Sequence, residues 1–196
     1  MTGVRADGLL RIEKERRTTM SPFARLGKWG LPAALLFALL PPVAAEAAAE
    51  SARATSGLPL PRFVSLKTDK VNIRGGPSRE HEVTWVFTRV GLPVEITAES
   101  ENWRRIRDAE GAEGWVYHSL LSGRRTVLVA PWSKNESFAL YERPDKSAGI
   151  TAELQSGVLG TVKNCNSKWC RIFGDGFDGY MEQERLWGVY PSESIE

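Results

Sequence analysis

Cys165 and Cys170 are the only thiols in the chain, and by type and spacing they are the groups best suited to chemistry. Asn166, Ser167, Lys168 and Trp169 separate them, so three readings apply: a disulfide clip, a redox pair, or part of a metal site. A redox pair ordinarily has two residues between its thiols, and a metal site needs further ligands. The two histidines, His81 and His118, have no metal-ligand spacing to either thiol. No G-x-S-x-G, H-E-x-x-H or Walker-type run occurs, so no nucleophile, base and orienter set is recognisable. These residues predict no catalytic centre, no metal and no cofactor.

The compartment decides between the thiol readings. From Met20 onward the chain shows Arg25 and Lys28, an apolar run from Leu31 to Leu40, and then Pro41-Pro42-Val43-Ala44-Ala45. A basic start, a short apolar stretch and a small-residue cleavage site make a secretory leader over 20–45. A spanning helix needs about 20 apolar residues; this run is shorter and broken by prolines, so no stable membrane span is expected after cleavage. Residues 1–19, polar and rich in Arg and Glu, fit no part of a leader and read as a disordered extension or an upstream start. The expected location is periplasmic or secreted, where a close cysteine pair forms a disulfide by default.

Export also changes the charge. The whole chain carries +2, but residues 1–45 hold seven Lys/Arg against three Asp/Glu, leaving 19 against 21 and a net −2 for the remainder. A mildly acidic exported chain lacks the dense basic face of a nucleic-acid binder. No nucleic-acid partner is expected.

The elements that must position these residues are short and duplicated. Residues 46–61 are rich in Ala, Ser, Gly and Pro and read as a flexible linker. Beyond them, short apolar and β-branched runs alternate with Gly, Pro, Asn and Asp, and no long window keeps a helical period. One block holds Val71 to Pro77, Gly91, Trp103 to Ile106 and Gly114-Trp115-Val116; a second holds Phe138 to Pro144, Gly157, Trp169 to Ile172 and Gly179-Tyr180-Met181. Pro77 and Pro144 are offset by 67, Trp103 and Trp169 by 66, and Trp115 and Tyr180 by 65. The predicted fold class is all-β: two tandem small barrels over 62–123 and 124–190, with a tail at 191–196. Units of about 60 residues sit near the lower limit for an independent core, so closure into a barrel and a staple both matter.

The offset of 66 carries Cys165 and Cys170 back onto Glu99 and Arg104. Opposite charges in one copy thus stand where thiols stand in the other, as two solutions to one cross-strand contact would. In the first copy, Gly75-Gly76-Pro77 is read as a sharp turn that exploits glycine's access to positive φ. Gly114 and Gly179 are read as close backbone approaches. Alternation sets Ile106 and Trp103 on opposite faces, and Trp85, Trp132 and Trp187 are available to pack between the barrels.

The two blocks resemble the bacterial SH3-like family in its exported tandem form. The residues that carry this are Asn72-Ile73-Arg74-Gly75-Gly76-Pro77-Ser78, Trp103-Arg104-Arg105-Ile106 and Gly114-Trp115-Val116, in that order. The second copy matches less closely, with Tyr141-Glu142-Arg143 and Gly179-Tyr180-Met181 at the corresponding places. The resemblance implies ligand recognition, with a cell-wall peptide or glycan, or another envelope protein, as partner. Candidate contacts are Arg74, Trp103, Trp115 and Tyr117 in the first copy and Tyr141, Trp169 and Tyr180 in the second. The expected function is non-catalytic binding of an envelope ligand; the alternative is a structural or assembly protein using the barrels for protein contacts.

Overall fold

The computed structural model describes residues 55–196. The expected leader, the extension before it and residues 46–54 of the expected linker lie outside the described residues. The first barrel is built from β1 (Arg62–Leu66), β2 (Val71–Arg74), β3 (Val83–Phe87), β4 (Pro93–Ser100), β5 (Trp103–Arg107), β6 (Glu113–Tyr117) and β7 (Leu121–Ser122). The second uses β8 (Thr126–Val129), β9 (Ser137–Tyr141), β10 (Ile150–Gln155), β11 (Leu159–Asn166), β12 (Trp169–Gly174), β13 (Phe177–Glu182) and β14 (Leu186–Trp187), with β15 (Ser194–Ile195) added beside β11.

The two sheets are antiparallel with one shared order. The first runs β3-β2-β6-β5-β4-β1-β7 and the second β10-β9-β13-β12-β11-β8-β14, so each strand has its counterpart in the same place. The duplication extends to an irregularity: register shifts between Ile96 and Ala98 in β4 and between Val162 and Asn164 in β11. A bulge bends a strand, which lets each of these eight-residue strands pair with β1 or β8 at one end and with β5 or β12 along the rest. The run Val83 to Val90 reads as one strand from its composition, yet β3 stops at Phe87. Val90 is exposed and Gly91 has φ 81°, so the chain turns there instead of extending the sheet.

Alternation fills the interiors. Ile73, Trp85, Phe87, Val94, Ile96, Ile106 and Val116 pack inside the first barrel, and Leu140, Leu154, Ile172, Met181 and the two cysteines inside the second. Trp85 therefore belongs to the first core rather than to the space between barrels, because it shares the inward face of β3 with Phe87. Gly114 and Gly179 are close approaches: a Cβ would lie 2.4 Å from the Ile73 side chain in one and 2.8 Å from the Tyr141 carbonyl in the other. Gly75 and Gly76 correct the turn reading, since neither takes positive φ. Gly76 instead makes room for the His81 ring, which would stand 2.3 Å from a Cβ there.

Cys165 and Cys170 face each other across β11 and β12 and form a disulfide, with Cα atoms 4.1 Å apart. Glu99 and Arg104 face each other at the same register of β4 and β5, their side chains 3.2 Å apart and almost wholly buried. A covalent bond and a buried ion pair thus close the same inner corner of the two copies. Something covers each corner. In the second barrel β15 pairs with Cys165 through Ile195; in the first, Thr55, Ser56 and Arg62 converge on Glu99. Residues 55–61, the end of the expected linker, are thereby fastened to the first barrel. Replacing both cysteines by serine is expected to cost about 2 kcal/mol, the loop-closure value for so short a ring. Urea unfolding checks this, and a loss above about 4 kcal/mol would mean that the bond does more than clip the corner.

The barrels share a packed junction. Leu128 of β8 joins the first core, and Leu159 and Trp187 pack against it. The Trp187 indole N–H donates to the Pro93 carbonyl (3.2 Å), the Thr126 hydroxyl to the Gly91 carbonyl (2.7 Å) and the Tyr190 hydroxyl to a Glu95 carboxylate oxygen (2.9 Å). Phe63 stands edge-on to Trp187 and against Tyr190, with ring centroids 5.1 and 4.7 Å away. Trp187 therefore does pack between the barrels, as one of the three tryptophans expected there.

Candidate functional site

Period-2 alternation places one outward ladder on each barrel. On the first, Trp103, Arg105 and Arg107 of β5 stand beside Tyr117, Trp115 and Glu113 of β6, and Arg74 of β2 follows across from Trp115. On the second, Trp169 and Arg171 of β12 stand beside Glu182, Tyr180 and Asp178 of β13, with Tyr141 of β9 opposite Tyr180. The ladders share an ion pair, Arg105–Glu113 at 2.5 Å and Arg171–Asp178 at 2.7 Å. At this exposure neither pair adds much to stability; the consequence of each is to hold a flat guanidinium beside an aromatic ring. The Arg171 guanidinium lies 5.8 Å above the Tyr180 ring.

The predicted site residues fall into two groups. Tyr141, Trp169 and Tyr180 are half-buried on one outer wall, Tyr141 edge-on to Trp169 with centroids 5.6 Å apart. Trp115 and Tyr117 are likewise half-buried on the wall of the first barrel. Trp103 shares that wall by alternation but is only 9% exposed, with Tyr117 edge-on to it at 5.5 Å. Arg74 turns back onto the loop after β2, donating to the carbonyls of Arg79 (2.9 Å) and His81 (2.6 Å). Its guanidinium organises that loop.

A cleft of about 660 Å³ opens beside the barrel junction. Phe63, Glu95 and Arg107 of the first barrel line it together with Trp132, Trp169, Gln183, Trp187 and Tyr190 of the second. Trp169 alone of the predicted residues reaches it. Glu95 is buried and accepts from Tyr190 and from the Arg107 Nε (2.8 Å), while Arg107 Nη2 makes a second, very short contact with the same carboxylate. Burial and the adjoining Glu95 carboxylate push the Tyr190 phenol well above its usual pKa, so it stays a protonated donor. A smaller hollow of about 240 Å³ adjoins Tyr141, Lys146 and Arg185, and Glu182 lines both spaces.

Sequence patterning missed Glu95, Gln183 and Tyr190, which have partners in the other barrel or in the tail, and Arg107, which faces Glu95 across β4 and β5 and meets the cleft only where the second barrel closes it. Trp132 carried the one usable signal. It is an indole outside any strand, and it is 55% exposed. Among the described residues no cluster of His, Cys, Asp and Glu is placed to hold a metal ion, and no helix is long and apolar enough to cross a membrane.

Comparison with known proteins follows the same division. The family model described as "Bacterial SH3 domain" matches residues 67–123 and again residues 134–188. No curated protein matches the chain. Among solved structures it is similar to NlpC2 and NlpC1 of Trichomonas vaginalis, each at 17% identity and TM-score 0.29, over 65% and 68% of this chain and 48% of each of those. It is also similar to an NlpC/P60 family protein from Bacillus cereus at 10% identity and TM-score 0.28, over 64% of this chain and 55% of that one. The chain thus spans about half the length of the solved structures it matches.

Proposed function

Since the chain belongs to the bacterial SH3 domain family, with one copy on each barrel, we propose that it is an exported, non-catalytic binding protein that recognises a cell-envelope ligand, a peptide or glycan of peptidoglycan. The observation that carries this reading is the repeated outer ladder: Trp115 with Arg105–Glu113 on one barrel, Tyr180 with Arg171–Asp178 on the other. A flat aromatic beside a guanidinium fixed by its carboxylate suits capture of an extended ligand on a small barrel. The disulfide supports export, because such bonds persist in oxidising compartments.

Retention of the folded protein on purified peptidoglycan is the test. Wild type is expected to sediment with the sacculi, and Trp115→Ala or Tyr180→Ala to cut retention several-fold without changing the melting temperature by more than a few degrees. Both rings are half-buried, so truncation leaves the cores intact. No retention of the wild type, with one envelope protein co-purifying instead, replaces this reading with that of an assembly protein. Release of soluble wall fragments replaces it with that of an enzyme.

A further inference from the structure

We propose that the cleft beside the barrel junction is a saccharide site that takes a neutral, N-acetylated glycan. The inference rests on the envelope-ligand reading and names the chemistry of one site within it. A cleft of about 660 Å³ lies within the range of about 300–1,000 Å³ typical of small-ligand sites. Its lining combines aromatic rings with planar polar groups. Trp132 and Trp169 offer rings to the apolar C–H faces of sugars, and Trp132 leaves 55% of its surface to solvent, a cost that a stacked ring would relieve.

The polar groups favour an uncharged occupant. Glu95 is matched by Arg107 and Tyr190, Glu182 by Lys146 at 2.8 Å and Glu184 by Arg185 at 3.8 Å, so each carboxylate of the cleft has a cation from within the protein, and Lys168 is the one further charge in its lining. Donors and acceptors remain. Arg107 is a five-donor group with Nε and Nη2 directed at Glu95, and its side chain is 45% exposed. Gln183 is buried and donates its amide nitrogen to the Glu193 carbonyl at 2.6 Å, which fixes the amide's orientation. Its Oε1 has no hydrogen-bond partner among the described residues. A buried acceptor left unmatched is destabilising, and a hydroxyl or acetamido N–H would satisfy it once the lining adjusts. A peptide captured by strand addition would require a free strand edge. The edge here is β14, which is two residues long.

The cleft is also rigidly mounted. Trp169 sits on the β11–β12 hairpin, which the disulfide locks beside its turn and whose turn the Asn166 side chain ties by accepting from the Trp169 N–H at 2.9 Å. Trp187 and Tyr190 are bonded to the first barrel. A site with so little freedom to lose binds at lower entropic cost.

The test titrates the whole protein with the tetramer of N-acetylglucosamine, followed by tryptophan fluorescence, beside sedimentation with sacculi. Wild type is expected to bind the tetramer, Trp132→Ala to weaken it at least tenfold with an unchanged melting curve, and Ile150→Ala, at an exposed apolar side chain outside the cleft lining, to leave it within twofold. Raising salt from 50 to 500 mM is expected to change the affinity less than twofold, since the tetramer carries no charge. Sedimentation of wild type with sacculi, together with no tetramer binding or with binding indifferent to Trp132→Ala, overturns the saccharide site and leaves the envelope reading standing. Neither sedimentation nor tetramer binding overturns both. Competition by a stem peptide in a Trp132-dependent manner, or a steep loss with salt, also overturns the neutral glycan.

Discussion

Glu99→Ala is expected to lower the unfolding free energy by about 3 kcal/mol, the usual cost of stripping one partner from a buried ion pair. The Glu99 carboxylate is fully enclosed and meets the Arg62 guanidinium at 2.6 Å and that of Arg104 at 3.2 Å. It also accepts from the Ser56 backbone N–H (2.7 Å), the Ser56 hydroxyl (2.7 Å) and the Thr55 hydroxyl (3.2 Å). Removing it leaves two nearly buried guanidinium groups uncompensated and unfastens residues 55–61 at once. For a chain of this size the shift in melting temperature is roughly 10 °C. Arg105→Ala, which breaks a half-exposed pair, is the control and stays within about 1 kcal/mol. A Glu99 variant as stable as that control would show that the corner is held by packing alone.

Acid tests the same residue. Burial raises the Glu99 pKa, but the Ser56 hydroxyl and backbone N–H, Arg62 and Arg104 outweigh it and hold the carboxyl at about 2, against an ordinary 4.5. Because the folded value lies below the unfolded one, the stabilisation is complete above about pH 4.5 and is lost as pH falls towards 2. Urea midpoints at pH 6 and pH 3 are expected to differ more in wild type than in Glu99→Ala. Equal differences would assign the acid sensitivity to other carboxylates.

Gly188→Ala is expected to be still more damaging, at about 4 kcal/mol, combining a backbone that side chains rarely adopt with a clash. Gly188 has φ 121°, and a Cβ there would stand 2.3 Å from the Thr126 carbonyl oxygen and 3.2 Å from the Pro93 side chain. The nearer obstacle is backbone in β8, so no rotamer change relieves it. The segment that must shift carries Trp187 and Tyr190, whose bonds to Pro93 and Glu95 join the barrels. Thermal unfolding with a red-shifted tryptophan emission is the expected readout. Gly123→Ala, where a Cβ would meet nothing within 4 Å, stays within about 0.5 kcal/mol. Equal melting temperatures for the two variants would refute the tight junction.

Much of the architecture was legible because both its signals are local. Period-2 alternation in β5 set Ile106 and Trp103 on opposite faces, and Ile106 is the one that lies in the core. The repeat spacing paired Glu99–Arg104 with Cys165–Cys170, and the structure places both pairs at the same register. Alternation states which way a side chain points and is silent on what lies above it. Trp103 illustrates the gap: it points outward, yet it is buried. Arg74 is another case, since its partners are carbonyls of a loop whose path no pattern encodes.

Residue order alone specifies a duplicated all-strand module with thiols in one copy matched by opposite charges in the other, since strand faces and hairpin register depend on neighbours a few positions away. How the copies meet depends on contacts between distant positions, such as Tyr190 with Glu95 and Trp187 with Pro93, separated by 95 and 94 residues. Those contacts are selected by the fit of two finished surfaces. The cleft exists only because that fit places Arg107 and Glu95 of one barrel beside Trp132 and Trp169 of the other.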